Sequence, residues 1–197
     1  MNSMLLRKTV LGVAGLAFAG GVVAGPVAGA LDESTTSTAA APVAVAESKP
    51  DTGKLLPHGT PAGQSSVPLN AEQTANAKAI VEATKKAGMD ERAAVVAIAT
   101  SLQESKLENL GHLGDRNDHD SQGLFQQRPS SGWGTVEQIT DPEYSTTAFL
   151  KGLKQVDGWQ DMPLTQAAQK VQVSAFPDHY AQWEKQAADL VAAHWNS

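Results

Sequence analysis

One carboxylate in this sequence has the position that an acid catalyst needs. Glu104 follows an apolar helix pattern, Ala93 to Leu102, whose first part, Ala93 to Ala99, is apolar on every side as in a buried helix. A carboxyl group held against apolar surroundings is costly to ionise, so its pKa should rise. A carboxylic acid of this kind can protonate the leaving oxygen of a glycosidic bond. A lone glutamate at a helix end more often points into water, so the residues that follow Glu104 decide the interpretation.

A second group of residues favours the catalytic interpretation. The segment Ser121–Gln127 reads SQGLFQQ, and its Gly123 lies nineteen positions after Glu104. A glycine removes the side chain where a bulky polysaccharide would pass close to the backbone. The amides of Gln126 and Gln127 donate and accept, which suits N-acetyl and hydroxyl groups. For Gln127, a solvated loop position is an equally good explanation.

Trp133 is a further candidate for contact with a sugar. Its indole has a flat apolar face that can stack on a sugar ring, but a core anchor explains this residue at least as well. Leu124 and Phe125, between the polar residues of the Ser121–Gln127 segment, are expected in the core.

The loop between the two groups contains three aspartates, Asp115, Asp118 and Asp120. Asp115 or Asp120 could be the second carboxylate of a hydrolysing enzyme, as base or nucleophile. A calcium loop starting at Asp118 would have Gly123 at its sixth position, but Pro129 stands where a bidentate glutamate is needed, which excludes calcium of that type. A polar turn held by aspartate hydrogen bonds is the remaining alternative. The five histidines share no ligand spacing, so we expect no metal and no cofactor.

The ordered set of motifs resembles the lysozyme-like superfamily of soluble lytic transglycosylases. Those enzymes carry a Glu-Ser pair at the end of a buried helix, here Glu104-Ser105, and a later Gly-Leu-x-Gln segment, here Gly123 to Gln126. The resemblance covers nearly all of the stretch from Leu69 to Trp195. The chain also resembles an exported actinobacterial subgroup of these enzymes. Four stretches carry this second resemblance: Gly123–Ser130, Gly132–Thr135, Gly158–Asp161 and Ser174–Pro177.

The resemblance implies cleavage of peptidoglycan strands between N-acetylmuramic acid and N-acetylglucosamine. Glu104 would act first as the acid and then as the base. A muramidase-type hydrolase with a second carboxylate, and a wall-binding module on the same fold without turnover, stay open as alternatives. The substrate-binding candidates are Ser105, Asp120, Ser121, Gly123, Gln126, Gln127 and Trp133.

The chain departs from the wider family at one motif. Many lytic transglycosylases carry a late Ala-Tyr-Asn segment whose tyrosine helps to position the catalytic acid. The best counterpart here, Gln172 to Ala175, has no tyrosine. Tyr180 follows soon after, but sequence spacing does not show whether it reaches Glu104.

Helices are the elements that would position these residues. No alternating run is long enough for a sheet beyond a small hairpin near Ser121–Gln127, so we predict a mostly α fold, a single lysozyme-like helical domain. Capping residues and Pro142 mark the helix starts. The helix after Pro142 should bury four residues, Tyr144, Ala148, Phe149 and Leu153. The last helix should bury another four: Trp183, Ala187, Leu190 and Val191. The predicted helices are Ala71–Ala87, Asp90–Leu107, one after Asp141-Pro142, Leu164–Val173 and Tyr180–Trp195.

Two segments precede the predicted domain, which covers residues 69–197. Residues 1–30 combine Arg7 and Lys8 with an apolar run from Thr9 to Val23 and an Ala-Gly-Ala site, as in a cleaved signal peptide. The run is shorter than the ~20 apolar residues of a membrane span. Residues 31–68 are rich in Ala, Ser, Thr and Pro, which predicts a disordered linker.

Composition and charge limit the classes of partner that we expect for this protein. Without the leader, 13 basic residues face 21 acidic ones, and clustered lysine and arginine are absent, so a nucleic-acid partner is not expected. We expect a secreted or cell wall-associated monomer that contacts peptidoglycan strands and has no stable membrane insertion after signal cleavage. The chain has no cysteine, so an exported domain would depend on packing alone.

Overall fold

The fold is known from a computed structural model that describes residues 52–117 and 119–197. This part of the chain is mostly helical, as predicted. Its one β pairing is an antiparallel bridge between Gln122 and Gln127, at the place of the predicted hairpin. The helices are α1 (Thr52–Leu55), α2 (Ala71–Lys86), α3 (Glu91–Ser105), α4 (Val136–Ile139), α5 (Pro142–Leu153), α6 (Leu164–Gln172) and α7 (Glu184–His194). Short 3-10 helices cover Gly114–Arg116, Pro129–Ser131, Trp159–Asp161 and His179–Trp183.

Local side-chain hydrogen bonds set the starts of the longer helices. Asn70 and Gln73 form the predicted capping box before α2, with both hydrogen bonds at 2.9 Å. Asp90 accepts from the Ala93 amide at 3.0 Å before α3. Asp141 caps α5, and Pro142 occupies its first turn. These starts were predictable because each cap lies within three residues of the amide that it satisfies.

Helix α3 is the central element of the described domain. It packs against α2, α5, α6, α7 and the 3-10 helix His179–Trp183. Every residue from Ala93 to Ala99 is fully buried, which confirms the interpretation of this run as a buried helix. The helix ends at Ser105, two residues before the predicted Leu107. Lys106 and Leu107 both have left-handed backbones, with φ of 57° and 64°, and no glycine marks this stop in the sequence.

The predicted core of α5 is partly wrong. Phe149 and Leu153 are fully buried as expected, but Tyr144 is 37% exposed and Ala148 is half-buried. Tyr144 lies against the backbone of Gly134 instead of the core, since a Cβ placed on that glycine would be 3.0 Å from the tyrosine ring.

The predicted final helix is divided into a 3-10 turn and α7. Trp183, Ala187 and Val191 are buried as expected, whereas Leu190 is half-buried at the edge of the core.

Part of the predicted linker belongs to the folded unit. Leu55 is fully buried, and its carbonyl oxygen accepts from Arg92 Nη1 at 2.9 Å. The same guanidinium donates to Glu184 Oε1 at 2.7 Å, in an ion pair whose side chains are 6% and 3% exposed. The ion pair therefore joins the N-terminal segment, α3 and α7.

Hydrogen bonds continue this attachment as far as Val67. Gln64 Nε2 donates to the Ala181 carbonyl at 2.8 Å, and the Ser65 amide donates to the Gln182 carbonyl at 2.7 Å. Val67 exchanges two bonds with the side-chain amide of Gln186. The folded region thus includes residues 52–68 of the predicted linker, and the prediction is wrong for this part. The predicted signal peptide and residues 31–51 of the predicted linker lie outside the described residues.

None of the helices in the described chain combines the length and the apolarity that a membrane crossing requires.

Candidate active site

Glu104 has a tyrosine partner. It lies in the last turn of α3 and is half-buried. The hydroxyl of Tyr180, in the 3-10 helix His179–Trp183, donates to Glu104 Oε1 at 2.8 Å. Tyr180 is fully buried, and this burial, together with the nearby Glu104 charge, raises the pKa of its phenol far above the ordinary value. The phenol therefore stays protonated at neutral pH and serves as a fixed donor to the carboxyl group.

Tyr180 is absent from the predicted site residues. The expected motif position, Gln172 to Ala175, lies just before it in the chain. Ser174 of that stretch hydrogen-bonds the Tyr180 side chain, which opposes part of the rise in its pKa. The tyrosine thus approaches Glu104 from a later position, across 76 residues of sequence. Counting residues from the known motif could not reveal this contact, because the tyrosine lies outside the motif.

The residues beside Glu104 in α3 are held by the C-terminal part of the domain. Gln103 Oε1 accepts from Trp183 Nε1 at 2.8 Å. Lys106 Nζ lies 4.6 Å from the centre of the Trp183 ring, within the range of a cation–π contact. Burial lowers the pKa of Lys106, and the Glu104 carboxylate acts against that shift. A cation and an indole are therefore part of the electrostatic surroundings of Glu104.

Ser105 links α3 to the Ser121–Gln127 segment. Its hydroxyl is buried and lies 2.9 Å from the Leu124 carbonyl oxygen, to which it donates. Gln172 Nε2, at the end of α6, donates to the Phe125 carbonyl at 2.9 Å. The segment is therefore held against the C-terminal end of α3, while Ser105 contacts backbone at the position where we expected it to meet substrate. Leu124 and Phe125 are fully buried, as expected.

Gly123 is required by packing inside the protein. Its φ is +76°, and a Cβ at this position would lie 2.0 Å from the Ile139 carbonyl oxygen. The Gly123 amide donates to the Leu110 carbonyl at 2.7 Å. The space predicted for a polysaccharide at this glycine is thus filled by the backbone of Ile139 and Thr140, just before α5.

The two glutamines of the segment have different surroundings. Gln127 is 2% exposed and donates to the Ser145 carbonyl at 3.0 Å, so the solvated-loop alternative is wrong for it. Gln126 has a left-handed backbone, with φ of 47°, and its amide donates to the Gly123 carbonyl at 3.0 Å. Because Gln126 is only half-buried, it is the glutamine that can reach a ligand.

Asp120 and Ser121 hold the loop together. The two carboxylate oxygens of Asp120 accept from the Ser130 amide at 2.8 Å and the Ser130 hydroxyl at 2.7 Å. These bonds hold the pKa of Asp120 below its usual range. Ser121 is buried and accepts from Arg128 Nε at 3.0 Å. This is the arrangement of the polar-turn alternative. Asp115 is exposed, and Asp118 lies outside the described residues.

An exposed apolar surface flanks Tyr180. Val173 is 73% exposed and Phe176 is 59% exposed. The Phe176 ring stacks on His179, with centroids 4.9 Å apart and an interplanar angle of 11°. Val173 has a left-handed backbone, with φ of 53°, which is strained for a β-branched residue. Exposed rings beside a carboxyl–phenol pair are suited to contact with sugar rings.

Trp133 is placed outside the core. It is half-buried and lines an open cavity of about 330 Å³ together with Gly132, Tyr144, Thr147, Ala148 and Lys151. The core-anchor alternative for Trp133 is therefore wrong.

Comparison with known proteins adds no relative. No family model matches the chain, and no curated protein is significantly similar to it. Within the described chain, no cluster of three or more histidine, aspartate or glutamate side chains could hold a metal ion.

Proposed function

We propose that this protein cleaves the glycan strands of peptidoglycan between N-acetylmuramic acid and N-acetylglucosamine, with Glu104 as the single catalytic acid and base. The observation that carries the proposal is the 2.8 Å hydrogen bond from Tyr180 to Glu104 Oε1. A buried donor on one oxygen fixes the plane and rotamer of the carboxyl group. Fixed geometry is what a group needs when it must transfer a proton to a defined substrate atom.

The proposed reaction needs one carboxyl group in two roles. Protonated Glu104 gives its proton to the glycosidic oxygen, and the bond from that oxygen to the muramic acid C1 breaks. The substrate's own acetamido group stabilises the positive charge that develops on C1. Glu104, now a carboxylate, removes the proton of the muramic acid 6-hydroxyl as its oxygen bonds to C1. The product carries a 1,6-anhydro ring, and Glu104 is protonated again.

The surroundings of Asp120 favour this route over hydrolysis. A retaining hydrolase needs a second carboxylate about 5–5.5 Å from the acid, and an inverting one about 6.5–9.5 Å. Both oxygens of Asp120 are already engaged by Ser130. We expect Asp120→Asn to lower the rate only modestly, since its role is to hold the loop. A muramidase that uses Asp115 is the alternative, and a strong loss of rate in Asp115→Asn would favour it.

The test is mass spectrometry of the products after incubation of purified protein with peptidoglycan. Glu104→Gln should lose about 10²–10⁴-fold in rate or more, the usual contribution of general acid catalysis. Glu72→Gln, an exposed glutamate in the first turn of α2, is the matched control and should retain activity. Anhydro-muramic ends, lighter by one water than hydrolytic ends, should appear with the wild type.

Three outcomes would count against parts of the proposal. Activity of Glu104→Gln within a few-fold of the wild type would refute Glu104 as the acid. Reducing muramic acid as the sole product would replace the transglycosylase with a muramidase. Binding of glycan without any product would leave the wall-binding module. The proposed place of action is the cell wall, outside the cell, after removal of the leader.

A further inference from the structure

The cavity beside Trp133 lies on one stripe of α5. Tyr144, Ala148 and Lys151 recur at helical spacing, so their side chains share one face, and Thr147 lies at its edge. The cavity volume of about 330 Å³ is at the lower end of the range for small-ligand sites. It is large enough for a sugar or for a few residues of peptide.

The backbone around Trp133 is fixed by its two neighbouring glycines. Gly132 has φ of +82° and Gly134 has φ of +143°, values that other residues rarely adopt. A Cβ on Gly134 would lie 3.0 Å from the Tyr144 ring and 2.9 Å from Gln138 Oε1. Tyr144 therefore packs directly on the loop that carries Trp133. The two aromatic side chains are held beside each other by backbone geometry, which marks a preformed surface.

The cavity also has a charge preference. Lys151 is exposed, and among the described residues it has neither an ion pair nor a hydrogen-bonded side-chain partner. The aromatic faces and the small Ala148 side chain suit short aliphatic groups. A neutral ligand would leave the ammonium without a counter-charge, whereas a carboxylate would pair with it.

The Ser121–Gln127 segment connects this cavity to Glu104. Ser105 of α3 bonds to the Leu124 carbonyl, and Gln127 bonds to the Ser145 carbonyl in α5. One short segment thus contacts both the catalytic helix and the helix that carries the cavity. This segment is the structural link between the end of α3, which carries Glu104, and the cavity on α5.

We propose that the cavity formed by Trp133, Tyr144 and Lys151 binds the carboxylate-bearing peptide branch of the cell-wall polymer. The identity of this ligand rests on the proposed function. The carboxylate pairs with the Lys151 ammonium, and the aliphatic part of the peptide contacts the two aromatic rings. Glycan and peptide then bind at two places joined by one segment, and the second contact is intramolecular once the first has formed.

The test is calorimetric titration of the full-length protein carrying Glu104→Gln, so that the ligand is not cleaved. The probes are a disaccharide–tetrapeptide fragment of peptidoglycan with free carboxylates, the same fragment with its carboxylates amidated, and the disaccharide without peptide. The free-carboxylate fragment should bind about 5-fold more tightly than the amidated one, the size of an exposed ion pair. Added salt should narrow this difference.

Substitutions at Lys151 test whether this residue causes the preference for free carboxylates. Adding Lys151→Gln should abolish the preference for free carboxylates, whereas Lys151→Arg should keep it. Lys170→Gln, an exposed lysine on α6, is the matched control and should leave the preference unchanged. Trp133→Ala should weaken binding of both peptide fragments roughly tenfold, as for a buried aromatic anchor.

The inference is overturned if amidated and free fragments bind equally, or if Lys151→Gln and Lys170→Gln behave alike. These results are independent of turnover. A protein that binds the acidic peptide through Lys151 but never cleaves glycan would refute the proposed function and keep this site. Glycan cleavage without any effect of the Lys151 substitutions on binding would keep the proposed function and refute this site.

Discussion

Replacing Tyr180 by phenylalanine tests the contact on which the proposed mechanism depends. The substitution removes one hydroxyl and keeps the ring that fills the core, so it creates no large cavity. Its direct consequences are the loss of the 2.8 Å hydrogen bond to Glu104 Oε1 and of the bond between the phenol and Ser174. The carboxyl group stays in place on α3, but nothing from the 3-10 helix His179–Trp183 then fixes its orientation.

The expected size of the effect follows from the type of bond. A hydrogen bond to a charged group contributes about 1.5–3 kcal/mol, which corresponds to a loss of roughly 10- to 150-fold in rate if the bond is needed in the transition state. The change in the free energy of unfolding should be smaller. Glu104 is only half-buried and can bond to water, so we expect about 1 kcal/mol or less and a melting temperature within roughly 3 °C of the wild type.

The assay combines turnover, glycan binding and thermal melting in the same preparations. Tyr180→Phe should lower kcat on peptidoglycan strands, with little change in the Kd for strands measured in the Glu104→Gln background. Thr84→Val is the matched control, because it removes another fully buried hydroxyl, which bonds to the Ile80 carbonyl within α2. Thr84→Val should cost stability and leave turnover unchanged. A Tyr180→Phe protein with at least one third of wild-type kcat would refute the positioning role.

Two further predictions concern stability. Gly123→Ala should cost about 3 kcal/mol or more in urea unfolding, because its Cβ would lie 2.0 Å from a backbone oxygen; Gly88→Ala, with φ of +64° but open space, should cost only about 1 kcal/mol. Equal losses would show that the backbone angle alone matters. Arg92→Met should cost about 3–5 kcal/mol by leaving Glu184 charged and buried, and the double variant with Glu184→Leu should recover most of that loss. A double variant less stable than Arg92→Met would contradict this account.

Sequence patterns were sufficient where the cause of a structure is local or periodic. The capping box at Asn70 and the proline start at Pro142 act within three residues, so they gave the right helix starts. The all-round apolar run from Ala93 to Ala99 correctly indicated a buried helix, because only complete burial makes such a pattern favourable.

Long-range contacts decided the features that the sequence did not reveal. Tyr144 has the helical spacing of a core residue, yet it lies against Gly134, and no periodicity encodes that loop. Gly123 was singled out as a position for substrate, but the partner that requires a glycine is the Ile139 carbonyl. The ordered stretch from Thr52 to Val67 was missed because one buried leucine and scattered amide bonds leave no pattern of their own.

The attachment of the N-terminal segment to the end of the domain limits when the site can form. Gln64 bonds to Ala181, beside Tyr180, across 117 residues of sequence. Ribosomes release a chain from its N-terminus, so Glu104 emerges long before its phenol partner. Contacts of such large sequence separation also form slowly during folding. A nascent chain, or one truncated before Tyr180, therefore contains the carboxylate without the contact that orients it, and the site is completed only after Tyr180 has been synthesised.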